Sequence, residues 1–203
     1  LLNYKRYGSF LNDSFFDVDE HTGIIRQISK LDREGVCVGA TYYNSCAISL
    51  EIFLTTENHQ KLTLRQFLKV TIELLDVNDH SPIFRVSSIP YRVAISELAP
   101  VGSGVSLPLA EDKDVGKYGI QQYQLENFST DHEKLFELDA QKTLNNDAIV
   151  GLVLRVISTL DREKEDCYSL IIKVVDGGNP SLSAELLVEI TILDFNDNSP
   201  KFE

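Results

Sequence analysis

The sequence predicts an all-β chain, built as two tandem seven-stranded Greek-key β-sandwich domains. Three observations carry that prediction. Short runs alternate apolar and polar residues, as Leu68, Val70, Ile72 and Leu74 do against Lys69, Thr71 and Glu73, which is the period of a half-buried strand. Seven such runs follow one another at regular intervals in the second half of the chain, the spacing of a sandwich. The stretch Asp76-Val77-Asn78-Asp79-His80-Ser81-Pro82 returns 118 positions later as Asp194-Phe195-Asn196-Asp197-Asn198-Ser199-Pro200, and the same offset carries Val70 to Val188 and Phe84 to Phe202. A repeat of roughly a hundred residues is a tandem domain, since solenoid units run to about 20–50 residues.

Taken in order, residues 1–80 form the first domain and 81–203 the second. Residues 1–16 are polar and irregular. Strands are expected over 15–19, 23–29, 47–55 and 67–75, each rich in Ile, Val, Leu or Phe, with a polar connection over 58–64. Beyond the acidic stretch, strands are expected over 91–95, 106–110, 121–125, 136–139, 152–158, 170–175 and 185–193. No segment shows the period of a helix.

Composition narrows the function. The chain has 19 basic and 31 acidic side chains and a formal net charge of −12, which argues against nucleic acid and anionic membrane surfaces as partners. No apolar run approaches the roughly 18 residues needed to span a bilayer, and residue 1 opens no secretory signal, so an extracellular portion of a longer protein is expected. His21, His59, His80 and His132 form no motif with Ser or Cys, and a catalytic metal needs a nucleophile or base beside it. No enzyme is expected.

The acidic stretch is a candidate cation site. Two carboxylates and a carboxamide crowd one short connection, and like-charged oxygens repel unless a positive charge sits among them. A hard cation such as calcium accepts carboxylate, amide and carbonyl oxygens together, so this donor set suits it better than zinc. The bland alternative is a solvated linker. Cys37 and Cys46 can close a local disulfide across a Gly-containing loop, the alternative being two free thiols. Cys167 opens a strand-like run over 167–175 and is expected to be a small buried hydrophobe, the alternative being an intermolecular disulfide. Asn12 and Asn127 begin glycosylation acceptor triplets.

Together with Asp-Arg-Glu at 32–34 and 161–163, the second domain carries Ser96-Glu97-Leu98, Asp112-Lys113-Asp114 followed by Gly116, and Val175-Asp176-Gly177-Gly178. These words, in this order, resemble the extracellular repeats of the cadherin superfamily over nearly the whole chain. The first domain has Leu54-Thr55-Thr56-Glu57-Asn58 where the second has Val-Asp-Gly-Gly. Cys37 and Cys46 follow Asp-Arg-Glu closely, and Asn-Asp-His follows the last strand. That combination resembles the first two repeats of a protocadherin. The family's shorter cysteine loop is not matched, which points to a divergent lineage, invertebrate ones included.

The resemblance implies a joint holding about three calcium ions. Asp32, Glu34, Asp76, Val77 (by its carbonyl), Asn78, Asp79 and His80 (by its carbonyl) would bind from one side. Asp112, Asp114, Tyr118 (by its carbonyl) and Asp176 would bind from the other. Arg33 and Arg162 would hold the acids by paired hydrogen bonds. Glu97, Asp161, Glu163, Asp194, Phe195 (by its carbonyl), Asn196, Asp197 and Asn198 would form half of a second joint, completed by a further repeat. A Glu corresponding to Glu97 would lie ahead of residue 1, so the first domain is expected to lack its N-terminal part here. The resemblance further implies calcium-dependent homophilic adhesion to the same protein on an opposing cell, by the ectodomain of a single-pass plasma membrane protein. Candidate contacts lie on exposed strand positions and the 98–108 loop. The alternatives are a structural spacer of a long atypical cadherin and a heterophilic receptor module.

Overall fold

The computed structural model describes residues 2–7, 15–37, 46–58, 61–127, 135–144 and 148–196. The chain divides into two compact units, Leu1–Val77 and Asn78–Glu203.

The first unit contains β1 (Leu2–Tyr7), β2 (Phe16–Val18), β3 (Ile25–Gln27), one helical turn α1 (Arg33–Val36), β4 (Cys46–Asn58) and β5 (Lys61–Leu74). β1, β4 and β5 form an antiparallel sheet in that order, and β2 pairs with β3. Alternation decides which face is inside: Cys46, Ile48, Leu50 and Ile52 of β4 are buried, whereas Ala47 between them is exposed. Cys46, Ile48 and Leu50 form one core with Phe16 and Leu74, and Val70 and Ile72 pack against it.

Three expectations for this unit need correction. Residues 2–7 are a strand, with Tyr4 opposite Leu54. The connection expected over 58–64 is largely strand, because the β4–β5 ladder runs through Glu57 opposite Leu62 to Asn58 opposite Lys61, and backbone pairing does not require apolar side chains. Residues 33–36 are helical, closed by Val36 N–H to Asp32 O at 3.0 Å and Cys37 N–H to Arg33 O at 2.8 Å. One turn is too short to display a helical period.

The second unit is a sandwich. It contains β6 (Ile83–Phe84), β7 (Tyr91–Ser96), β8 (Gly104–Ser106), β9 (Ala110–Glu111), a 3-10 turn (Gly116–Tyr118), β10 (Ile120–Asn127), β11 (Phe136–Lys142), β12 (Ile149–Val156), β13 (Cys167–Asp176) and β14 (Ser183–Leu193). One sheet runs β10-β13-β14-β7, the other β11-β12-β8, and β6 pairs with β9. Only β14 and β7 run parallel among these pairs. Leu152, Leu154 and Val156 from one sheet meet Leu170, Ile172, Val188 and Ile190 from the other in a single buried core.

The strand expected over 106–110 is split between β8 and β9. Pro108 lies in the gap and has no N–H to continue a ladder. Cys167 is exposed, not buried: inward positions on β13 are Leu170, Ile172 and Val174, and an odd-numbered residue on that strand points the other way.

Pairing sets where the acids lie within this unit. β6 antiparallel to β9, with Ile83 opposite Glu111, places the residues before β6 beside those after β9. Ile120 opposite Asp176 brings the end of β13 to the same neighbourhood. At the far end, Ser96 opposite Leu193 sets Glu97 beside the residues following β14.

Candidate metal centre

In the first unit, α1 turns the Asp-Arg-Glu word back on itself. Arg33 is buried, and its Nη1 donates to Glu34 Oε1 at 3.2 Å and lies 3.5 Å from Asp76 Oδ1. The paired hydrogen bonds expected of this arginine are replaced by one nitrogen serving both acids, while Nε and Nη2 are buried without a hydrogen-bond partner among the described residues. Asp32 is exposed, and Val77, the last residue of the unit, is also exposed. Cys37 and Cys46 are disulfide-bonded with Cα atoms 6.0 Å apart, tying the end of α1 to the start of β4.

In the second unit, Asp114 is the centre of a hydrogen-bonded group. The His80 backbone N–H donates to Asp114 Oδ2 at 3.0 Å, and the ring Nδ1–H donates to Asp114 Oδ1, also at 3.0 Å. Asp79 Oδ1 approaches the same ring nitrogen at 2.9 Å. Burial opposes the charged imidazole, yet the hydrogen bond and charge of Asp114, with the charge of Asp79, outweigh it and raise the His80 pKa. Asp112 Oδ1 accepts from the Asp114 N–H at 3.0 Å, and Asp176 Oδ1 accepts from Gly178 N–H at 3.0 Å and Leu182 N–H at 2.8 Å. Tyr118 ends the 3-10 turn that follows Asp114.

What remains unsatisfied decides the chemistry. Asp112 Oδ2, Asp176 Oδ2 and Asn78 Oδ1 are buried and have no hydrogen-bond partner among the described residues. Buried acceptors without donors are costly, and buried carboxylates without counter-charge more so. Burial pushes the Asp112 carboxyl up to about 6, with the charges of Asp114 and Asp176 adding to the rise. The donors left over are oxygens of two carboxylates and one carboxamide. A hard divalent cation of calcium type supplies what these atoms lack, so the residues fit that ion.

At the other end of the unit Glu97 is buried, and both of its oxygens accept backbone N–H groups: Arg162 at 3.0 Å and Phe195 at 2.6 Å. Glu97, Glu163 and Asp194 each offer an oxygen within 4.8 Å of the others. Arg162 Nη1 lies 3.9 Å from Asp194 Oδ1, a looser contact than the equivalent one at Arg33. Asp161 is ion-paired with Lys164 at 3.0 Å, and that hydrogen bond holds its carboxyl below the usual range. Phe195 and Asn196 are exposed. Asp197, Asn198 and Asn12 lie outside the described residues, and Asn127 ends β10, with the rest of its acceptor triplet also outside them.

Reasoning from the sequence missed two participants. The ring of His80, expected to contribute only its carbonyl, bonds Asp114. A signal existed, since His80 stands where the second copy has Asn198. Pro180 was missed as well: its carbonyl accepts from Asn78 Nδ2 at 3.3 Å, and nothing local to either residue announces that contact.

A model of the cadherin domain matches residues 91–193. Human protocadherin gamma-C4 is 34% identical over 193 residues, covering 95% of this chain and 19% of the relative. Human protocadherin-17 is 32% identical over 187 residues, covering 92% of this chain and 15% of the relative. The chain therefore spans under a fifth of the length of these curated relatives. Among solved structures, EC1-3 of protocadherin gamma C5 superposes with a TM-score of 0.78 at 30% identity, over 98% of this chain and 57% of that one. The extracellular domain of protocadherin gamma B4 gives 0.76 at 27% identity, over 98% of this chain and 28% of that one. Repeated sandwiches ending in Asp-x-Asn-Asp words, with acids held by Asp-Arg-Glu and by Asp-x-Asp, are accounted for by one family, and this chain, with its protocadherin-like repeats, belongs to the cadherin family.

Proposed function

We propose that the chain is a calcium-dependent adhesion and recognition module, binding homophilically to a second copy on an opposing cell. It serves as part of the ectodomain of a single-pass plasma membrane protein, with further cadherin repeats in the same parent chain. The repeats span residues 1–80 and 81–203, and about three calcium ions bind at the joint. The role is that of a binding module and not of an enzyme.

The observation that carries this reading is the set of buried oxygens on Asp112, Asp176 and Asn78 that no donor among the described residues satisfies. Bound calcium supplies positive charge there. Asp112 and Asp176 would hold it, Asp114 orders the group through His80, and Arg33 keeps Glu34 and Asp76 together. Motion between tandem domains is the default unless something restrains it. Acids from both repeats that share ions provide the restraint, and affinities for extracellular modules of about 0.1–1 mM match that setting.

Asp112→Asn tests the metal reading. It removes a buried charge whose pKa is raised, and a raised carboxyl pKa means that the ionised form costs stability above its unfolded pKa. In metal-free buffer at neutral pH the variant is expected to melt a few degrees higher than wild type. In about 1 mM calcium it is expected to gain much less stability. Lower melting without metal, with an unchanged calcium response, would remove the basis of this reading. Homophily is checked by sedimentation equilibrium on the natural ectodomain: a dimer in calcium and a monomer in chelator are expected, whereas a monomer in both, with calcium still bound, contradicts it.

A further inference from the structure

The turn after β13 holds Asn78 in one orientation. Asn78 Nδ2 donates to the Pro180 carbonyl at 3.3 Å, so its Oδ1 is the end left buried and unpartnered among the described residues. Gly178 makes room for the amide. A Cβ on Gly178 would stand 2.0 Å from Nδ2, 2.3 Å from Cγ and 2.8 Å from Oδ1 of Asn78. The requirement is spatial and not conformational, because the positive-φ glycines are Gly23, Gly102 and Gly116. The same turn uses the Gly178 and Leu182 N–H groups to hold Asp176 Oδ1, while Asp176, 4% exposed, keeps Oδ2 buried and, among the described residues, unpartnered. One turn thus orients a carboxamide and a carboxylate, each with one oxygen unsatisfied.

We propose that Gly178 and the Pro180 carbonyl are positioning elements for a cation ligand: they fix the Asn78 carboxamide so that its oxygen is presented to the ion. This inference rests on the calcium reading above. It assigns a role to the second glycine of Val175-Asp176-Gly177-Gly178 that its own backbone does not explain. The neighbouring Gly177 differs, since a Cβ there would stand 2.0 Å from the backbone carbonyl of Lys117, which cannot swing aside. At Gly178 the obstacle is the end of a side chain, which can. Gly178→Ala is therefore expected to spare the fold and displace the ligand.

The test is a cycle of wild type, Gly178→Ala, Asn78→Ala and the double variant, read by calorimetric calcium titration of the whole chain. Metal-free melting and the nuclear Overhauser contact between the Asn78 amide protons and Gly178 Hα are measured in parallel. Gly178→Ala is expected to melt as wild type without metal and to lose roughly 10-fold or more in calcium affinity, as removal of ligand-orienting groups commonly does. Asn78→Ala should lose a similar factor, and the double variant no more than either, because one lost ligand cannot be lost twice. Wild-type affinity in Gly178→Ala, or two losses that multiply in the double variant, overturns the proposal. The metal-free contact separates it from the calcium reading: a wild type without the contact overturns the positioning role, whereas a wild type with the contact that takes up no calcium overturns only the calcium reading.

Discussion

The thiol of Cys167 stands exposed on β13, and Thr191 of β14 lies opposite it. Slight desolvation by its neighbours, aided by the charges of Glu189, Asp166 and Glu165, nevertheless raises its pKa. The thiolate is the nucleophile, so a raised pKa leaves less of it at neutral pH. Maleimide is expected to label one thiol per chain in native buffer, more slowly than it labels free cysteine and faster as the pH rises, while Cys37 and Cys46 stay unlabelled in their disulfide. Labelling that waits for denaturant contradicts this orientation. The position was legible in the sequence: Leu170, Ile172 and Val174 share a parity that Cys167 does not. The usual burial of cysteine points the other way, but on a strand direction is set by position and not by residue type.

Strands were legible wherever one face is buried. Alternation located β4, β5, β12, β13 and β14, because a strand between core and solvent must alternate. It does not reveal β1, expected to be irregular, or the β8–β9 break, expected to be one strand, since β1 is held by its ladder to β4 and the break falls at Pro108. Elements are also fastened by contacts that carry no periodic signal. The Ala110 N–H of β9 donates to the Tyr123 hydroxyl of β10 at 2.9 Å, and the Phe84 ring of β6 lies 6.2 Å from the Tyr123 ring. Tyr123→Phe keeps the ring and strands the Ala110 donor, so it is expected to cost the second unit about 1 kcal/mol. Urea unfolding of that unit measures the loss, and an unchanged midpoint would show that water satisfies Ala110 instead.

At the scale of the whole chain, two compact units with separate cores should lose structure independently. Only the first contains a disulfide among the described residues. Reduction is expected to lower the stability of the first unit by roughly 2–4 kcal/mol and to leave the second untouched. Calorimetry in metal-free buffer, with and without reductant, would show one transition moving. Two transitions moving together would mean that the units unfold as one. The all-β class, the tandem repeat and the words that hold the acids can be read from the order of residues alone, because strand period and repeat offset are properties of that order. The family resemblance of those words is what put Asp112, Asp176 and Asn78 among the candidates. Folding alone reveals that one oxygen of each is left without a donor among the described residues, that one nitrogen of Arg33 serves both Glu34 and Asp76, and that Gly178 lies against Asn78. For Asn78, Asp112 and Asp176, burial and hydrogen-bond satisfaction belong to neighbours brought together by pairing β6 with β9 and β10 with β13, and those neighbours are distant in sequence.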